Sequence, residues 1–139
     1  MDQLIVEQKT ESLRRCIRRL AEKTPPDVSQ LIEDPDLQDI LVLNLTRAVQ
    51  LCVDIGSHSI SQTDEPAPAT MGEVFTTLEK LGVISPGTSE AMRKAVGFRN
   101  VAVHNYEAIN WEIVFAICNN FLPDFKSFVA EVTQAASGS

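Results

Sequence analysis

The chain has 139 residues, a formal net charge of −7 and a hydrophobic fraction of 44%, with a mean hydropathy near zero. That is enough to bury a sizeable core, and it excludes a wholly disordered or wholly membrane-embedded chain. Cys16, Cys52 and Cys118 are odd in number and widely spaced, which argues against a disulfide framework or a zinc cluster and for a reducing cytoplasm.

From Asp2 to Lys23, Ile5, Leu13, Cys16, Ile17 and Leu20 recur at helical spacing. Thr24-Pro25-Pro26 ends that helix. Asp27 to Asp34 reads as a turn or short helix, and Pro35 suits the first position of the next one. Asp36 to about Ser59 is nearly unbroken helix former, apolar on most faces, as in a helix surrounded by neighbours. Ser61 to Ala69 reads as a loop. Thr70-Met71-Gly72-Glu73 is a capping box whose helix runs to Leu81 and stops at Gly82.

Ser85-Pro86 opens a further helix, with Met92, Ala95 and Val96 toward the core. Asn110 begins the last, to about Thr133, with a bend expected at Pro123. Residues 135–139 read as a flexible tail after a single domain over 1–134. No strand alternation with hairpin turns is present, so the fold class is all-α, a bundle of about five helices. Neither a leader peptide nor an apolar run of spanning length is visible, so no membrane association is expected.

The acidity is uneven: Glu11 to Lys23 and Glu90 to Arg99 are locally basic, whereas Asp27 to Asp39 holds acids and no base. A protein that cuts RNA transiently needs basic residues at the cut, not a globally basic surface. The segment Arg99-Asn100-Val101-Ala102-Val103-His104-Asn105-Tyr106 supplies the chemistry. Its guanidinium is a fork for phosphate, its histidine is the residue type that moves protons in catalysis, and it holds the chain's single tyrosine. On one straight helix, at about 100° per residue, Arg99 and His104 lie about 140° apart and share no face. A distorted helix, a reaching arginine or a second subunit would be needed to unite them. By composition alone, an ordinary surface or capping cluster is the commoner explanation of such a trio.

Phe98-Arg99-Asn100-Val101-Ala102-Val103-His104-Asn105-Tyr106 resembles the signature of HEPN-domain proteins, and its R-x4-H-x-Y form resembles the HepT toxins encoded beside a small MNT-type nucleotidyltransferase antitoxin. The segment Asp39 to His58 is similar to that family's long second helix, and Ser85 to His104 and the closing helix match its order. The resemblance implies a homodimeric, metal-independent endoribonuclease without cofactor, in which Arg99 and His104 of both subunits form one cleft. There the 2′-hydroxyl attacks the adjacent phosphorus, so RNA is cut and DNA is not. Asn100 would orient His104 or the phosphate. Tyr106 would be the residue that the partner adenylylates to switch cleavage off. The competing reading is a non-catalytic helical module that binds nucleotide or substrate for a nucleotidyltransferase; a purely structural dimerisation domain is a third.

On the second helix, Arg47, Asp54 and His58 fall near one stripe beside Asn44. They either line the cleft, Asp54 orienting a catalytic group, or form a polar network that satisfies itself. No third ligand accompanies His58 and Asp54, so no metal site is expected. Arg14, Arg15, Arg18 and Arg19 are a solvated face or a surface that tracks an RNA backbone.

Overall fold

The computed structural model describes residues 2–137. Its helices are α1 (Asp2–Lys23), α2 (Val28–Ile32), α3 (Pro35–Ser61), α4 (Met71–Lys80), α5 (Pro86–His104), α6 (Trp111–Ala116) and α7 (Leu122–Ser137). A single 3-10 turn (Tyr106–Ala108) precedes α6, and a π turn (Ile117–Phe121) joins α6 to α7 without a break. No strand occurs among the described residues. The all-α expectation holds, α2 being the short helix anticipated before Pro35.

Helix starts follow local chemistry. Asp27 accepts from the Ser29 and Gln30 amides to cap α2, and Asp34 caps α3 ahead of Pro35. Thr70 accepts from the Glu73 amide, while the Glu73 carboxylate returns to the Ala69 N–H. This is the capping box, shifted by one residue on its return arm. Gly82 takes φ +76° after α4, a conformation glycine adopts without a Cβ penalty. Ser85 caps α5, and the Glu131 carboxylate of α7 accepts from the Ser85 N–H and the Thr88 hydroxyl. A negative charge thus sits at the positive end of α5 and fixes where that helix begins.

The core is one continuous cluster. Leu13, Cys16, Ile17 and Leu20 of α1 pack on α3, whose Leu41, Leu45, Ala48, Val49 and Cys52 are buried on several sides. Ile5, expected on the same stripe, is 42% exposed. α1 pairs with α3, and Lys9 bridges to Asp54 near one end of the pair. By length and composition, α3 and the stretch Trp111–Ala136 could each cross a membrane. In α3 that apolarity is spent on neighbours, since α1, α4, α5 and α7 all pack on it.

Gly56 lets α3 approach α4. A Cβ there would lie 2.7 Å from Val74 Cγ1 and 3.0 Å from Leu78 Cδ1. Phe75 and Phe128 meet edge to face, ring centroids 5.5 Å apart, in the same part of the core. Gly56→Val is therefore expected to lose about 1–3 kcal/mol by overpacking. Gly72→Ala, whose Cβ meets nothing within 4 Å, should be neutral or slightly stabilising. Urea midpoints of the two variants would check both signs.

A π turn precedes Pro123, where the sequence predicts a bend. Proline lacks an N–H, and its ring crowds the carbonyl four residues back, so a wider turn relieves both problems. α7 is helical through Ser137, Ala135 and Ala136 being good helix formers; Gly138 and Ser139, the end of the expected tail, lie outside the described residues.

Candidate active site

α5 is an unbroken α-helix through Arg99, Asn100 and His104 and ends at that histidine. Its C-cap Asn105 leaves helical geometry at φ −153°, ψ 70°, donating its N–H to the Val101 carbonyl. The chain then makes its 3-10 turn, and Ile109 drops into the core. Burial of Ile109 and the Asn110 cap of α6 pull the chain out of helix here. Tyr106 thus leaves the α5 axis, and the straight-helix register puts only Arg99, Asn100 and His104 on a common screw.

On that screw Arg99 and His104 remain about 140° apart. Arg99 is half-buried and donates from Nη1 to Asn100 Oδ1 at 3.3 Å. His104 is exposed in the last turn and makes no side-chain hydrogen bond among the described residues. Asn100 therefore sits on the arginine, not on the histidine. Within one chain the two groups are neighbours along a helix end, not a closed pair.

Tyr106 turns toward the start of α3. Its hydroxyl donates to Asp39 Oδ1 at 2.5 Å, and its ring meets Trp111 edge to face at 6.0 Å. The residue is 39% exposed. Burial of the hydroxyl, the hydrogen bond to Asp39, and the charges of Asp39 and Glu107 push its pKa up to about 12. Near neutral pH it is a neutral phenol, held at its tip and still reachable from solvent. Asp39 was missed as a site residue by sequence reasoning: it lies 67 positions away, in a run that reads only as acidic.

An apolar groove of about 630 Å³ runs between α5 and α6–α7, lined by Phe98, Val101, Ile109, Ile113 and Phe121. Ile113 is 52% and Phe121 49% exposed. His104 lies about 60° around α5 from Val101, and it is not one of the residues that line the groove.

The α3 stripe divides. Asp54 Oδ2 pairs with Lys9 Nζ at 3.2 Å, and Oδ1 accepts from Gln50 Nε2 at 2.9 Å. It is the self-satisfied network, and its hydrogen bonds do not reach Arg99 or His104. Arg47 joins Arg15 and Arg19 around a second cleft of about 650 Å³ between α1 and α3, floored by Ile40 and Leu43. No carboxylate lines that cleft, and none of its arginines is in an ion pair among the described residues. Asn44 is buried and donates to the Ile40 carbonyl at 2.9 Å. No grouping of His, Cys, Asp and Glu suited to a metal ion occurs among the described residues.

Comparison with known proteins places these features in a family. Residues 13–132 match the family model for ribonuclease HepT-like proteins. The chain is 35% identical over 125 residues to the mRNA nuclease HepT of Shewanella oneidensis, covering 90% of this chain and 93% of that one. It is 23% identical over 132 residues to the tRNA nuclease HepT of Aphanizomenon flos-aquae, covering 95% and 90%. Among solved structures it superposes with TM-score 0.87 and 34% identity on a tri-AMPylated Shewanella oneidensis HEPN toxin in complex with MNT antitoxin, covering 94% and 97%. An all-α HEPN bundle carrying R-x4-H-x-Y at the end of a helix defines the class, and the chain belongs to the ribonuclease HepT-like family.

Proposed function

We propose that this chain is the ribonuclease toxin of a toxin–antitoxin pair, cutting RNA by 2′-hydroxyl attack at Arg99 and His104 and silenced by adenylylation of Tyr106. The observation that carries this reading is the end of α5. It presents an exposed imidazole with no hydrogen-bond partner among the described residues, a half-buried guanidinium and, just past the helix end, a partly exposed tyrosine whose hydroxyl is held by Asp39. The nuclease names of the relatives and the AMPylated toxin among the structural neighbours support it.

The chemistry follows from those groups. One imidazole takes the 2′ proton as that oxygen attacks phosphorus, and another returns a proton to the departing 5′ oxygen. Arg99 neutralises charge growing on the non-bridging oxygens, with Asn100 holding its guanidinium. A single chain offers one histidine at this position, so the reading includes a homodimer. The apolar groove, whose wall includes Val101 of the motif, is the surface this reading gives to the second copy, which would bring two copies of the motif together. The Arg15, Arg19 and Arg47 cleft supplies unpaired cations for RNA phosphates outside the cut. Asp54, through its pair with Lys9, ties α1 to α3.

The partner is an MNT-type nucleotidyltransferase, and the compartment is the cytoplasm, in keeping with three free, buried thiols. AMP on Tyr106 would set negative charge near Arg99 and repel an incoming RNA phosphate.

The test is cleavage of RNA by the purified protein in excess EDTA. The expected products carry 2′,3′-cyclic phosphate and 5′-hydroxyl ends, and a matched DNA stays intact. Activity that vanishes with the chelator and returns with a divalent cation would refute the metal-independent mechanism. Tight RNA binding without any cleavage would favour the non-catalytic module.

A further inference from the structure

We propose that Asp39 is the proton acceptor for modification of Tyr106. Its carboxylate takes the phenolic proton as Tyr106 Oη attacks the α-phosphorus of a nucleoside triphosphate held by the partner nucleotidyltransferase. This rests on the reading that Tyr106 is the modified residue, and it adds the group that makes the hydroxyl reactive.

The need for a base comes from the state of the phenol. Burial and the neighbouring carboxylates hold its pKa near 12, so only about one molecule in 10⁵ is phenolate at neutral pH. The proton must then leave during attack, to a group already in reach. Asp39 is that group. Oδ1 accepts the hydrogen bond at 2.5 Å, and no lysine or arginine pairs with the carboxylate among the described residues. Glu107, next along the chain, adds charge but no hydrogen bond to Tyr106.

The seat is also rigid. Asp39 stands in the second turn of a 27-residue helix whose start is locked by the Asp34 cap and Pro35. Trp111 meets the ring edge to face. The hydroxyl is therefore aimed before any nucleotide arrives, which lowers the ordering cost of attack.

The step balances without a further reactant. The Oη–phosphorus bond forms, and the bond from the α-phosphorus to the oxygen bridging to the β-phosphate breaks. Pyrophosphate leaves with the electron pair, and the phenolic proton passes to Asp39 and then to water. The product has no hydroxyl proton to give, and its phosphodiester repels the Asp39 carboxylate. The modified ring thus leaves its seat.

The experiment uses the full chain in complex with its partner nucleotidyltransferase and ATP. The first AMP added at Tyr106 is followed by intact mass, with the site confirmed by fragmentation. Asp39→Asn keeps an oxygen that accepts the hydrogen bond but cannot hold the proton, whereas Asp39→Ala removes both. Both variants are expected to slow the first transfer at least about 100-fold, with the KM for ATP within about twofold and complex assembly intact. A wild-type rate in Asp39→Asn, whether or not Asp39→Ala is slow, would mean that Asp39 only holds the ring, and overturns the proposal. Wild-type protein that takes no AMP at Tyr106 overturns the underlying reading instead, and shows it before any variant is made.

Discussion

His104→Ala is expected to slow RNA cleavage at least about 100-fold, the ordinary worth of a positioned general acid–base group, and more if both proton transfers use this residue. Arg99→Ala should fall as far, because a charge-stabilising donor contributes about 3–4 kcal/mol to such transition states. Arg99→Lys should recover only part of it, since an ammonium lacks the planar fork. None of these changes should unfold the protein: among the described residues, exposed His104 has no hydrogen-bond partner and Arg99 bonds only its chain neighbour. Initial rates on a defined RNA, with thermal melts as control, separate the outcomes. Undiminished cleavage in His104→Ala would remove the end of α5 from the chemistry.

Tyr106→Phe should uncouple the toxin from its control. The variant keeps the ring against Trp111 and loses the hydroxyl that donates to Asp39. Its cleavage activity is expected to stay within a few-fold of wild type. Preincubation with the partner nucleotidyltransferase and ATP should abolish cleavage by the wild-type protein and leave Tyr106→Phe active. Equal silencing of both would show that neutralisation acts by binding alone. In cells the variant should remain toxic despite co-expression of the partner.

Much of this molecule was readable from local chemistry. Caps at Thr70, Ser85 and Asn110 act within three residues of themselves, so a linear sequence displays them, and the structure has all three; the Asp27 and Asp34 caps work the same way but lie in a stretch that reads only as a turn or short helix. The apolar continuity of α3 likewise announced a surrounded helix. The functional octapeptide was legible as a string because it is contiguous and rich in unusual side chains.

What escaped was set by tertiary packing. The π turn at Ile117–Phe121 is a compromise between Pro123 and a helix that must stay continuous to reach Glu131, and no short window encodes that. The departure of Tyr106 from α5 depends on Ile109 finding the core. Its bond to Asp39 joins residues whose separation hides any pattern. The division of the α3 stripe was invisible for the same reason: Asp54 and Arg47 face different features of α1, an ion pair for one and a cleft for the other.

The pairing of Tyr106 with Trp111 has a practical consequence. The chain holds one tyrosine and one tryptophan, and they are packed ring against ring. Excitation absorbed by this phenol is within easy transfer range of the indole, so ultraviolet emission from the protein is dominated by a single coupled pair. Any event that drives the tyrosine out of its seat changes the surroundings of the sole emitter. Under the proposed modification of Tyr106, that emission would report the change with no dye or label attached.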